Sequence, residues 1–358
     1  MRWSGVGVDP LPRRSEVNAS GMVPQGGHFV AFVGKRGREH RSGSSGLTLS
    51  CMRNPTSDVA QGWSQRMNVP LDIARRVDPM VSSAEHVKDG GQKSVFRFEH
   101  DLATWALKMV DLTDTLGQLG ETADVVIARV NREVGLLRDI ASTHLPSLGP
   151  LEPRIVDIDG GSYFAYSEEY IEGTSLSDLI ATHALEPKAV AAVAREVGMA
   201  LAELWERGVV HRDVKPENIL RRESDGSYVL VDPGYALDLA EPWLTRAGGV
   251  VGTAPYCSPE QLDVGNKHAL DVRSDLYSLG VTMYEAVAGS HPYYRAGMSA
   301  TDLYHAIREQ IPVDPRSSGC PDGLARIIVR LMRKRPHLRY RAPGELLEDL
   351  ETIPEGEQ

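Results

Sequence analysis

The sequence predicts an α+β fold in which a small β-rich part with one helix precedes a larger α-helical part. Three observations lead there. Segments rich in β-branched and aromatic residues cluster between residues 94 and 166, one helical pattern interrupts them at Ala128–Ile140, and apolar residues recur at three-to-four spacing from Pro187 onward. With 358 residues and 41% hydrophobic content, the chain can bury one large core or two smaller ones.

Taken in order, the first 66 residues hold nine Lys/Arg against four Asp/Glu, a net charge of +5, whereas the remainder carries −15. This stretch is rich in Gly and Ser, contains the basic run Lys35, Arg36, Arg38, and shows no sustained periodicity. Too little apolar area is available there to fold, so residues 1–82 are expected to be a basic, Gly/Ser-rich, disordered extension, with a start of translation at Met67 as the other account. Its one apolar patch, Phe29 to Val33, is short enough only for an isolated strand.

Residues 83–171 form the expected β-rich part, with strands at Ser94–Phe98, Thr104–Met109, Arg154–Ile158 and Ser162–Tyr166. Residues 172–355 form the helical part, with helices at Pro187–Arg207, Ser274–Ala288, Ala300–Glu309 and Asp322–Lys334, several led by Asp or Ser. No internal repeat is visible.

Composition excludes several function classes. A net charge of −10 argues against nucleic-acid binding, which needs clustered Lys and Arg. Cys51, Cys257 and Cys320 have neither an even count nor metal-ligand spacing, which fits a reducing cytoplasm. Apolar runs fall short of a membrane span, and the N-terminus lacks the layout of a signal peptide, so a soluble protein is expected.

The most informative segment is HRDVKPENIL, His211 to Leu220, which follows an amphipathic helix and precedes the strand-like YVLVDPG, Tyr228 to Gly234. It resembles the catalytic loop of eukaryotic-like (Hanks-type) serine/threonine protein kinases, with the H-R-D-x-x-x-x-N spacing met by His211, Arg212, Asp213 and Asn218. The resemblance implies a bilobal kinase-like fold and transfer of the γ-phosphate of ATP to Ser/Thr hydroxyls of proteins. Phosphoryl transfer needs an aligned acceptor hydroxyl and cations that neutralise charge on the phosphate oxygens. By the same resemblance Asp213 accepts or orients the hydroxyl proton, Lys215 steadies the γ-phosphate, and Asn218 and Asp232 hold Mg²⁺. Lys215 in D-x-K-P-x-N favours the Ser/Thr branch over tyrosine kinases.

On the nucleotide side, WALKMVDL resembles the strand whose lysine grips the α- and β-phosphates, which assigns that role to Lys108 and places Ala106 against adenine. Glu133, on the following helix, is the expected partner of Lys108, with Glu121 as its rival. KDGGQKSVF resembles the glycine-rich loop in part: aligning Val95 puts Gly90, followed by Gly91, at the centre but sets Lys88 and Lys93 at the outer glycine positions. EEYIEGTSL resembles the hinge, where Glu169 and Ile171 would offer backbone groups to adenine and Glu168 would guard the rear pocket. Leu220 completes the nucleotide-binding set.

GTAPYCSPEQ resembles the end of an activation segment, and Glu260 is expected to pair with Arg339 in a buried bridge. Asp275, in SDLYSLG, would cap the backbone around His211 and Arg212. Thr245 and Thr253 are candidate autophosphorylation sites. The usual D-F-G is D-P-G here, and Pro233 cannot fill the aromatic slot. A pseudokinase scaffold, favoured by Lys93 and Pro233, and a small-molecule phosphotransferase are the other readings of the same resemblance.

Overall fold

The computed structural model describes residues 70–89, 93–112, 123–139, 141–233, 254–262 and 270–354. All of them lie in the second of the two units, Met1–Met52 and Arg53–Gln358, into which the chain divides.

Helix α1, Pro70–Val77, comes first. Ile73, Ala74 and Val77 recur at helical spacing and are buried, together with Val81, against Phe96, Phe98, Leu107 and Met109. The structure departs from the disordered extension expected over residues 1–82 in its last part, residues 70–82: three apolar side chains on one helix face suffice for packing when an apolar sheet face is waiting, and residues 1–69 lie outside the described residues.

Five antiparallel strands follow: β1 (Ser83–Asp89), β2 (Lys93–His100), β3 (Ala103–Asp111), β4 (Arg154–Ile158) and β5 (Gly161–Glu169). Their spatial order is β1-β2-β3-β5-β4. Side chains alternate between faces at period two, and the sequence obeys this. Leu107 and Met109 of β3 and Tyr163 and Ala165 of β5 share the α1 face. Val110 of β3 and Phe164 and Tyr166 of β5 meet helix α2, Ala123–Asp139, through its Val126, Val130, Val134 and Leu137. These α2 residues follow i, i+4, i+8, i+11, one stripe of a helix.

The larger part contains a three-stranded sheet of β6 (Gly173–Ser175), β7 (Ile219–Arg222) and β8 (Tyr228–Leu230). Its helices are α3 (Leu176–Thr182), α4 (Pro187–Glu206), α5 (Val272–Ala288), α6 (Ala300–Glu309), α7 (Asp322–Leu331) and α8 (Pro343–Glu351). Ser175, Asp271 and Ser299 each cap a helix by accepting a backbone N–H, and Gly289 ends α5 in the left-handed region at φ 66°. α5 is central: a Cβ on Gly280 would lie 2.6 Å from Leu331 Cβ, so only glycine lets α7 pack so close. No described helix is long and apolar enough to cross a membrane.

Candidate active site

The loop from His211 to Asn218 runs between α4 and β7, and α5 fixes its conformation from below. Asp275 is buried on α5 and accepts the backbone N–H groups of His211 and Arg212, both at 2.7 Å. These bonds hold Arg212 in the left-handed region at φ 69°, an uncommon conformation for a non-glycine residue. Burial pushes the Asp275 carboxyl up to about 7, while those two N–H groups oppose it. His211 is fully buried, and burial holds it neutral with a value lowered to about 3. Its partners assign the tautomer: Nε2 donates to Val231 O at 3.2 Å and Nδ1 accepts from Asp213 N at 3.3 Å.

Asp213 Oδ2 accepts from Lys215 Nζ at 2.9 Å and from Asn218 Nδ2 at 2.8 Å. Its Oδ1 is buried and has no hydrogen-bond partner among the described residues. Burial raises the Asp213 carboxyl above the ordinary range, against the pull of Lys215 and Asn218. Asn218 also donates to Asp213 O at 2.9 Å, and its own carbonyl accepts from Val231 N at 2.9 Å. That bond brings the next residue, Asp232, alongside the loop, with φ at 57°.

Asp232 gathers the lysines. Its Oδ1 lies 2.5 Å from Lys108 Nζ and 3.3 Å from Lys93 Nζ, and its Oδ2 lies 3.7 Å from Lys88 Nζ. Burial alone would raise this carboxyl, but the three cations hold it well below the usual range.

The register of the sheet explains which side chains meet. Val95, Lys108 and Tyr166 lie directly across from one another on β2, β3 and β5, and Ala106 lies opposite Glu168. Residues two apart share a face, so Lys93, Val95, Ala106, Lys108, Tyr166 and Glu168 all point the same way. Here the structure departs from the expected Lys108–Glu133 pair. Lys108 Nζ is instead 2.5 Å from Glu168 Oε1, while Glu133 Oε1 accepts from Tyr166 OH at 2.8 Å and from Lys93 Nζ at 3.3 Å. The reason is geometric: a carboxylate on the adjacent strand reaches Lys108 first, and Lys93, one pair further along, stands before α2. Glu168 is dry, 3% exposed, and its Oε2 has no partner among the described residues.

Beside this charged cluster lies an apolar surface. Val95 and Ala106 are buried on the shared sheet face, while Ile171 packs with Val229, Val231 and Leu220. Sequence reasoning singled out Ile171 and Leu220 but missed Val229 and Val231, whose alternation within YVLVD was the available signal. Glu169 donates its backbone N–H to Ser147 O at 2.8 Å, and its carboxylate meets Arg222 at 2.5 Å. Gly90 and Gly91 lie outside the described residues, as do Thr245, Thr253 and Glu121.

Glu260 and Arg339 pair bidentately, at 2.6 and 2.9 Å, with Arg339 only 2% exposed. Burial raises Glu260, but the bonds and charge of Arg339 outweigh it and hold the carboxyl low. Arg339 sits just after a 3₁₀ turn at Pro336–Leu338 rather than within a helix. Pro233 is buried beside Asp232.

Comparison with known proteins agrees with this geometry. The family model described as "Protein kinase domain" matches residues 89–349. The serine/threonine-protein kinase PknB of Mycobacterium tuberculosis (strain ATCC 25618 / H37Rv) is 32% identical over 53% of this chain and 30% of its own length. The serine/threonine-protein kinase PknL of Mycobacterium tuberculosis (strain CDC 1551 / Oshkosh) is 38% identical over 52% of this chain and 46% of its own. The chain thus spans less than half the length of these curated relatives. Among solved structures, Rad53 1-466 in complex with AMP-PNP superposes with a TM-score of 0.58 at 20% identity, covering 76% of this chain and 66% of that one, a likeness of fold. With side chains of a β-sheet part and a helical part meeting at Asp232, the family match over most of the chain establishes that this chain belongs to the protein kinase domain family.

Proposed function

We propose that this chain transfers the γ-phosphate of ATP to serine and threonine hydroxyls of protein substrates. The observation that supports it best is the connected set Lys108–Asp232–Asn218–Asp213, in which Asp213 keeps one buried oxygen without a partner among the described residues. That Oδ1 is the acceptor for the substrate hydroxyl proton. The hydroxyl oxygen bonds to the γ-phosphorus as the bond to the ADP oxygen breaks, and the proton passes to Asp213. Its raised carboxyl value makes it a better base than an exposed aspartate. Lys215 steadies the γ-phosphate, and Lys108 the α- and β-phosphates.

Val95, Ala106, Ile171 and Leu220 enclose the adenine, with Glu169 and Ile171 offering backbone groups; the phosphate-covering role of Gly90 and Gly91 rests on the sequence resemblance alone. The Asn218 amide and the Asp232 carboxylate are hard oxygen donors suited to Mg²⁺, and the three lysines drawn to Asp232 mark it as an anionic site. Bound Mg²⁺ neutralises charge on the phosphate oxygens. The two lobes divide at residues 171 and 172, the protein acts in the cytoplasm, and autophosphorylation falls on Thr245 or Thr253.

Purified protein with labelled ATP and Mg²⁺ should label itself or a generic protein substrate, and Asp213→Asn should lower that rate by at least ~10³-fold without changing ATP affinity. A wild type that binds ATP but transfers no label to any protein defeats the reading.

A further inference from the structure

Lys93 stands where the resemblance expects a glycine, yet its side chain is built into the site. It opens β2 opposite Val110, and its ammonium meets Glu133 Oε1, Asp232 Oδ1 and Tyr166 OH at 3.3, 3.3 and 3.4 Å. Lys108 reaches the same Asp232 oxygen. Two ammonium groups on one carboxylate oxygen repel each other, and three buried or half-buried carboxylates, Glu133, Glu168 and Asp232, are assembled to hold them. The contacts of Lys93 are looser than the 2.5 Å contacts of Lys108, so its ammonium can turn to a phosphate oxygen at lower cost. The two lysines differ in access: the Lys108 side chain is 3% exposed and closed in by Glu168, whereas Lys93 is 17% exposed.

We propose that Lys93 is a second phosphate-binding lysine of the nucleotide site, positioned by Glu133 as Lys108 is positioned by Glu168. The inference rests on the kinase reading above and deepens it. Lys93 donates to the phosphate chain from the β2 side of the cleft, and the helix glutamate that would orient Lys108 orients Lys93 instead. A strut that merely ties α2 to the sheet would have no preference for phosphate, and this separates the two roles.

Titrating ATP and adenosine, each with Mg²⁺, into the full chain by calorimetry tests it. Charge-assisted hydrogen bonds to phosphate predict that Lys93→Met weakens ATP binding by ~10- to 100-fold while adenosine affinity stays within about twofold, and that Lys93→Arg restores most of the loss. Lys93→Met binding ATP as well as wild type overturns the inference. Equal weakening of ATP and adenosine overturns it too, since that marks a structural strut. On wild type, with no substitution, an adenosine carrying a sulfonyl fluoride in place of its phosphates should form a sulfonamide with Lys93, releasing fluoride; label confined to Lys108 would count against the proposal. Retained phosphate transfer in a Lys93→Met protein that binds ATP normally removes this inference and keeps the kinase, whereas a wild type with no affinity for ATP removes both.

Discussion

In the helical half, Arg339 gives its donors to five separate acceptors, the two Glu260 oxygens and the carbonyls of Arg273, Arg333 and Lys334, and stacks over Tyr277. In the sheet half, Lys93 and Lys108 share one oxygen of Asp232, and Glu168 keeps an oxygen with no partner among the described residues. Both clusters bury charge, but one is saturated and the other is left partly open. A saturated cluster has one low-energy arrangement and serves as a joint; an open cluster can exchange partners and serves a ligand. The difference predicts that substitutions in the helical cluster register in stability and those in the sheet cluster in activity.

The largest loss of stability should follow Arg339→Ala, which strands the Glu260 carboxylate and three carbonyls: about 3–5 kcal/mol by chemical denaturation. A loss below about 1 kcal/mol would erase the contrast.

His211 offers the next effect. Its folded-state value, lowered to about 3 from an ordinary 6.5, means that the unfolded chain binds the proton more readily. Stability is therefore full above about pH 6.5 and falls on acidification toward about pH 3, by up to ~1.4 kcal/mol per pH unit from this group. His211→Gln should flatten that slope in denaturation curves taken across the window.

Lys108→Met should have the smallest effect on folding, well under that of Arg339→Ala, yet lower phosphate transfer by several orders of magnitude, ~10³-fold or more. Lys93 remains for Asp232, and Glu168, already raised by burial, can take a proton. A carboxyl raised in the folded state holds its proton more tightly there, so acidification toward the unfolded value of 4.5 should narrow the stability gap between this variant and wild type. A variant that melts far below wild type at every pH would show the sheet cluster to be a joint as well.

Much of the helical half was legible because its signals are contiguous. HRDVKPEN holds within eight residues the Asp213, Lys215 and Asn218 that the structure brings into contact, Ala300–Glu309 was expected with the bounds observed, and Asp275 and Arg339 were assigned partners that the structure confirms. The sheet half resisted for a physical reason: its pairs are set by cross-strand register, which no single window contains. Lys93 and Glu168 lie 75 residues apart and share a cluster only because β3 stands between their strands. β1, SAEHVKD, is a mostly exposed edge strand with no apolar alternation to announce it. Helix α1 hid because its three buried residues sit at the end of a polar, glycine-rich stretch.

The Lys108–Glu168 bridge also bears on inhibitor selectivity. If the nucleotide binds as proposed, a compound that extends a hydrophobic ring toward Glu168 would have to separate a buried carboxylate from Lys108, and binding would suffer. One that extends an amide or amine donor instead would find Glu168 Oε2 already dry and waiting, a foothold that an apolar residue at this position would deny.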